Sequence, residues 1–487
     1  MEGYENMGDR QKLMREEKVL KLFLRFSIPA ILGMLVQSLY NIVDRVFIGN
    51  IAETGGLAIS GVGVVLPVTF IIIGFIMLFG IGAGSNISIK LGEKKQDEAE
   101  RIFGTGFLML ILTGVFITVI GLVFLDPIIS LYGATDSIRS YAKDYLRIIL
   151  YGNLFNTIAF GLNNIIRAEG NPKIAMYTML IGAVINTILD PILIYGFNMG
   201  VSGAAWATIF AQFVSFLWTM NYFLSGRSML KLRKDYIRFS SVIVRKIVSI
   251  GASPFAMQVA GSLIGIILNR SLAFYGSDKA IGAYAAINSI VTIFLMVIFG
   301  MNQGLQPIIG FNYGARNYHR VKEAVKVGIV AATIVSTLGF VVVQLFPATF
   351  INFITKDPEI REIGVAGIQR FLLMFPVIGM QIIASSFFLA IGKANKSFIL
   401  SMLRQVFLLI PLILILPKYF GMGLMGIWTA IPIADTLAVL ITLAFLMNEF
   451  RSLNSQELDR RDEERERVDY ALEEMAVSRE AKEKAAR

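Results

Sequence analysis

Apolar stretches of about 20 residues recur along almost the whole chain, and that recurrence decides what it can fold into. Wound as an α-helix at about 1.5 Å per residue, each stretch crosses about 30 Å of hydrocarbon. The runs are continuous and do not alternate in polarity, unlike the strands of a transmembrane β-barrel. Twelve spans are expected, at roughly 22–48, 59–83, 102–125, 144–166, 174–196, 203–225, 248–275, 282–309, 327–351, 364–390, 398–417 and 424–447. The fold class is an all-α membrane protein whose partner is the lipid bilayer. Composition agrees. Charged residues make up 16% of the 487, against about 25% in an ordinary soluble chain. Mean hydropathy is +0.66, so there is too little polar surface to face water on all sides.

The connections set the orientation. Counting the N-terminus through Arg25 and every second connection after it, one side holds 25 Lys and Arg, and the opposite loops hold six: Arg139, Lys143, Lys279, Lys356, Arg361 and Lys418. Basic loops stay on the cytoplasmic side. Both termini are therefore expected in the cytoplasm, in the cell's inner (cytoplasmic) membrane. The same rule explains the net charge of +10 without nucleic acid as a partner. The N-terminal segment is polar, with no short apolar run ending at small residues, so no cleaved signal is read there. Residues 451–487 form a charged cytoplasmic tail in which Val468, Leu472 and Met475 make only a thin apolar stripe.

With no Cys and one His, His319, the chain lacks the raw material for thiolate, triad or His-rich metal chemistry. It does not read as an enzyme, and no cofactor is expected. It does read as duplicated. Pro29 through Asp44-Arg45 matches Pro254 through Asn269-Arg270 at a shift of 225. Phe79-Gly80-x-x-x-Gly84 matches Phe299-Gly300-x-x-x-Gly304, and Met199-Gly200-x-x-Gly203 matches Met422-Gly423-x-x-Gly426, at nearly the same shift. Six spans per half is even, so the halves enter the membrane from one side and the repeat is parallel. Duplicated bundles of this kind hold a site near mid-membrane and rock around it. The expected organisation is a six-helix lobe at 1–226, a linker at 227–247, a second six-helix lobe at 248–450 and the tail. The lobes are pseudo-symmetric, and a monomer is expected.

Ionisable groups inside spans are expensive and mark function. Asp44 lies late in the first span with Asn41 one turn away. Asp190 lies in Asn186-Thr187-Ile188-Leu189-Asp190-Pro191, where Asn186 and Asp190 share a face. Pro191 has no N–H, which frees the Thr187 carbonyl. A carboxylate, an amide and a free carbonyl in one turn suit a proton or a hard monovalent cation. Thr208 follows in the next span. The fourth span carries Tyr145, Asn153, Asn156, Asn163 and Asn164, some of which should face a polar cavity. In the second half Asn269 replaces Asp44. The polar residues there are mainly amides, including Gln258, Asn288, Gln303 and Gln381, with Asp435 as the one deep acid and Arg270, Arg370 and Arg404 as cations.

These residues resemble the multidrug and toxic compound extrusion (MATE) family, in its DinF-like or MepA-like branch, over Lys18 to about Phe450. The carriers are Pro29, Leu39-Tyr40-Asn41-x-x-Asp44, Phe47-x-Gly49, Arg167-Ala-x-Gly170-Asn171, Asn186-x-x-Leu189-Asp190-Pro191 and Met199-Gly200-x-x-Gly203-Ala-Ala-x-Ala-Thr208. The resemblance implies a twelve-helix, two-lobed V that antiports amphipathic or cationic drugs against H+ or Na+ by alternating access. It implies a coupling site at Asp44, Asp190, Asn186 and Thr208, with Asn163 and Tyr145 nearby, where Na+ would be held by Asp44 and Asp190. NorM-like members add acids in helices 7 and 10, and spans 7 and 10 here have none. A substrate cavity is expected to draw on Asn41, Asn153, Asn156, Gln258, Asn288, Gln303, Gln381 and Arg404. The alternative function is a lipid-linked oligosaccharide flippase of the same superfamily, which would need a cluster of cations in the central cavity.

Overall fold

The computed structural model describes residues 7–51, 55–132, 134–355 and 357–485. Lys356 and the side chains of 461–487, including the expected Val468, Leu472 and Met475 stripe, lie outside that description. Among the described residues the regular structure is helical throughout. A short α1 (Met7–Glu16) precedes the first lobe: α2 (Val19–Gly49), α3 (Gly55–Gly92), α4 (Gln96–Val123), a short α5 (Leu125–Leu131), α6 (Asp136–Ala168), α7 (Pro172–Pro191) and α8 (Gly200–Leu224). The second lobe follows with α9 (Ser241–Tyr275), α10 (Asp278–Gly314), α11 (Tyr318–Leu345), a short α12 (Pro347–Ile354), α13 (Pro358–Phe371), α14 (Phe375–Ala390), α15 (Ala394–Met402), α16 (Ile410–Tyr419) and α17 (Gly423–Ala485).

Ten helical stretches are long and apolar enough to cross a membrane, and α13 with α14, bent by 55°, makes an eleventh. The twelfth expected span, α6, has the length at 33 residues but not the apolarity. Its first turns carry Asp136, Arg139, Lys143, Asp144 and Arg147, and its asparagines follow. It is nevertheless enclosed by α3, α4 and α8. Two boundaries differ from expectation. α9 begins at Ser241, so the last residues of the expected linker are already helical, and α17 continues without a break into the charged tail.

Local signals explain the punctuation. Gly170 adopts φ +90°, a left-handed conformation open to glycine, and stops α6. Asn171 then caps α7 by accepting from the Ile174 N–H at 3.4 Å, with Pro172 at the first helical position. Gly392 at φ +75° stands at the equivalent place between α14 and α15. After Pro191 the chain continues as one π-helical turn, Ile192–Gly196, a form that recurs at functional sites.

The lobes meet along a seam at the end that carries the N-terminus. Ser27 on α2 donates to the Met301 carbonyl on α10 at 3.4 Å, and Ser85 and Ser88 on α3 donate to Leu389 and Pro307 at 2.8 and 3.0 Å. Arg320 and Asn312 reach the carbonyl of Met14. Glycine lets the backbones touch: a Cβ on Gly251 would sit 1.8 Å from the Leu78 carbonyl oxygen, and one on Gly304 would sit 2.7 Å from the Ser27 Cα. On α2 the seam runs through Ser27, Ile31 and Met34. The same helix face continues to Ser38, Asn41 and Arg45, of which Asn41 and Arg45 are exposed. The lobes therefore part toward the end opposite the termini, and a cleft opens there.

Candidate functional site

The first lobe brings the two expected acids together. Asp44 on α2 and Asp190 at the end of α7 are both buried, and their carboxyl groups lie within hydrogen-bonding reach of each other. Several contacts hold them there. α2 packs against α7, where Gly33 leaves room for Met179. Just beyond the acids, the Tyr195 hydroxyl in the π turn donates to the Phe47 carbonyl at 2.6 Å. Asn186 donates to Asp190 Oδ1 at 3.2 Å and to Thr208 Oγ1 on α8 at 3.4 Å. One oxygen of each acid, Asp44 Oδ1 and Asp190 Oδ2, is buried with no partner, as is Asn186 Oδ1. Buried acceptors without partners on two neighbouring acids and the amide bonded to one of them leave room for a donor or a cation. Tyr40 and Tyr145 stand close enough for their hydroxyls to sense both carboxylates.

Beside this group lies a cavity of about 90 Å³, lined by residues of α2, α6, α7 and α8. Gln37, Asn156, Asn163, Thr208, Gln212 and Ser215 are among them, and no Lys or Arg is. At roughly 10–15 Å³ per water on this measure it has room for a handful of waters. Asn186 and Thr208 both line the cavity, and Asn186 donates to Asp190 as well as to Thr208, so it ties the acids to the cavity.

The other expected residues separate. Asn163 lines the cavity, yet its amide donates to the Ala175 carbonyl at 2.8 Å and its oxygen accepts from Arg167. Asn153 faces α4, donating to the Gly114 carbonyl at 3.1 Å and to Thr118, and is not in the cavity lining. It fastens two helices. Asn41 shares the cleft-facing side of α2, and the one-turn neighbour on Asp44's own face is Tyr40 instead. Gln258 lies at the seam against Gly74, and Gln303 lies at the seam against Met34. Asn288 is exposed on α10, and Gln381 is buried in α14. Arg404 is in an ion pair with buried Asp435, Nε to Oδ1 at 2.5 Å.

Sequence reasoning missed Gln37, Tyr40, Gln212 and Ser215. The signal was available for three of them: Tyr40 is four residues and Gln37 seven before Asp44, the spacing of one helix face. Gln212 stands four after Thr208 in the same way.

The MatE family model matches the chain twice, over residues 29–192 and 254–415, at a shift of 225 between the starts. The chain belongs to the MatE family. The two matches cover one lobe each and agree with the duplication read from Pro29 and Pro254. A curated relative, the multidrug export protein MepA of Staphylococcus haemolyticus (strain JCSC1435), is 28% identical over 447 residues, covering 92% of this chain and 97% of its own. A solved outward-facing multidrug resistance MATE transporter of the MOP superfamily superposes with a TM-score of 0.85 at 25% identity, over 91% of this chain and 98% of that one. A structure named protein A is 38% identical with a TM-score of 0.82, over 88% and 95%. This MatE chain is a multi-pass membrane transporter with the two-lobed, all-helical fold, and it is not an enzyme.

Proposed function

We propose that this MatE protein exports amphipathic or cationic drugs from the cytoplasm across the inner membrane, driven by inward flow of H+ or Na+ at Asp44 and Asp190. The observation that carries the reading is the pair of adjacent buried carboxyls, with unpaired oxygens and a cavity that no Lys or Arg lines. Two carboxylates this close repel as anions, so a proton or a cation must sit between them. Na+ accepts several oxygen ligands, and the two acids with Asn186 and Thr208 supply them. A proton needs only the acids. Drug affinity and ion occupancy are then coupled through lobe shape, and the coupling is reciprocal by linkage. The multidrug export assigned to MepA and the outward-facing relative support the cargo class and the alternating-access cycle. Both termini lie in the cytoplasm, by the 25 to six asymmetry of basic residues. The working unit is a monomer organised as lobes 1–226 and 248–450 about the linker.

The flippase reading needs clustered cations for a lipid pyrophosphate. Arg404 is instead paired with Asp435, and Arg370 lies against the Met425 sulfur. That leaves Arg270 without a cluster, and drug export is the better reading.

The test is drug uptake into proteoliposomes under separately imposed proton and sodium gradients. One gradient is expected to drive transport in the wild type and to fail in Asp190→Asn. Equal gradient dependence in the two proteins would refute the coupling site.

A further inference from the structure

A second, smaller cavity of about 20 Å³ lies inside the seam, close to the N-terminal end of the molecule. Its walls come from both lobes: Ser85 and Ser88 on α3, Asn164 and Arg167 on α6, and Gln303 and Gln306 on α10. Arg167 is 6% exposed. Its guanidinium donates to the side-chain oxygens of Asn163 and Asn164, both uncharged. No Asp or Glu lines the cavity. A buried cation without a counter-ion is strongly disfavoured, and proteins normally pair or neutralise such a group. Arginine does not deprotonate to escape the problem. The carboxyl end of α6, where Arg167 sits in the last turn, offers at most about half an elementary charge. The site stays net positive.

The rest of the lining is uncharged; the Ser85 and Ser88 hydroxyls and the Asn164 amide donate to backbone carbonyls, so the donors left for an anion are those of Arg167 and the two glutamines. Two N–H bonds of the guanidinium are used by the asparagines, which leaves donors free. The Gln303 and Gln306 amides come from the facing lobe, and Gln303 has its oxygen unpaired and only the Met34 sulfur against its nitrogen. Which end of that amide faces the cavity is a matter of which ligand fills it. The volume admits one water-sized or slightly larger particle. It excludes a phosphate or a carboxylate-bearing drug.

We infer that this cavity binds a single small monovalent anion of the halide class, held between Arg167 of one lobe and Gln303 and Gln306 of the other. The site exists only while the seam is shut. An anion in it therefore favours the conformation open at the far end, and opening the seam releases it. It acts as a ligand for one state of the cycle, by differential affinity. The inference is independent of the cargo and of the ion that drives export.

The test uses the full chain, which has no native Cys. Cysteines for spin labels are placed at Leu131 and Phe353, both highly exposed at the open end of opposite lobes. Label distances are measured while chloride replaces gluconate at constant ionic strength. Chloride is expected to raise the ratio of the long-distance to the short-distance population about tenfold at about ten times its dissociation constant. Because the anion binds only the shut seam, that ratio should keep rising in proportion to chloride until the long-distance population is complete, and the response should vanish in Arg167→Gln. Because that variant removes a buried group from α6, Gln306→Leu is the second variant, and it should weaken chloride without altering the label distances in gluconate. Bromide diffused into crystals should give an anomalous peak within the cavity. Identical distances in chloride and gluconate, an unchanged response in both variants, or a water alone in the cavity would overturn the inference.

Discussion

Alanine in place of Gly251 should pry the seam apart. The Cβ would lie 1.8 Å from the Leu78 carbonyl oxygen, 2.6 Å from its carbon and 2.8 Å from its Cα. All three are backbone atoms, so no rotamer change relieves the clash. The contact must lengthen by about 1.2 Å before it reaches the 3.0 Å below which real Cβ atoms essentially never approach a neighbour. α3 and α9 have to part by that amount along a line where they pack closely. Overpacking costs about 1–3 kcal/mol, and rigid backbone on both sides puts this case near about 2–3. At about 1.4 kcal/mol per factor of ten, the ratio of seam-shut to seam-open molecules falls roughly 30- to 140-fold. The assay is the distance between spin labels at Leu131 and Phe353, which should shorten as the far end closes. Gly261→Ala on the same helix is the control, since nothing lies within 4 Å of its Cβ. Alanine there should leave the distances alone and favour the helix by about 0.5–1 kcal/mol. An unchanged distance distribution in Gly251→Ala, with unchanged thermal stability, would refute the view that backbone contact at this glycine holds the lobes shut.

Other expectations follow from single sites. Asp190→Asn keeps the volume and removes the charge, so gradient-driven efflux should fall to background while the protein folds and retains some drug binding, read by fluorescence titration. Glu169, fully buried after α6, accepts from Tyr222, from Ser228 at 2.6 Å and from the Met229 N–H at 3.0 Å. Burial raises its pKa above the ordinary 4.5 despite those bonds. The folded protein thus holds this proton more tightly than the unfolded chain, and stability from this group declines as pH rises from 4.5 toward the raised value. Thermal melts of Glu169→Gln over that range should lose this part of the slope. Trp428→Ala empties a fully buried site against Tyr284 and Gly367, and should lower unfolding stability by about 3–5 kcal/mol in a denaturant titration.

How much of this could be read in the sequence depends on what each feature rests on. The spans were legible because lipid demands long apolar helices, and the repeat because prolines and glycines keep their places at a constant shift. α6 was expected as a span because its apolar residues lie between basic and polar turns, although its composition falls short of one. Asp190 was legible because Asn186 and Pro191 flank it within one turn of helix. Asn153 looked like a cavity residue because an amide inside a span suggests water. Its partner is a backbone carbonyl of another helix, which periodicity does not reveal. The Arg167 cavity was hidden for a similar reason. Its walls come from three helices far apart in the chain, at 81–88, 164–168 and 303–307, and Arg167 reads in sequence as one more basic residue at a loop.

The two lobes differ near the point where the repeat is aligned by Gly200 and Gly423. At the shift of 223, Gln212, which lines the first lobe's cavity with its Oε1 unpaired, corresponds to Asp435. The second lobe thus carries an acid where the first carries an amide, and it supplies its own cation in Arg404. A tethered guanidinium occupies that carboxylate, in the role that the proposed coupling ion would take at Asp44 and Asp190. The pair is still vulnerable. Asp435 is buried and its Oδ2 is unpaired, while Arg404 is about a quarter exposed. Removing the guanidinium in Arg404→Leu leaves a buried carboxylate without a partner and should cost about 3 kcal/mol, the lower end for a broken buried pair because Arg404 is partly exposed. The double variant Arg404→Leu with Asp435→Leu removes both charges and should recover most of that loss, since apolar replacement of a whole buried pair is close to neutral. Thermal melts of the two single variants and the double variant form a complete cycle. If the double variant is as unstable as the sum of the singles, the pair carries no mutual stabilisation, and the asymmetry between the lobes has another origin.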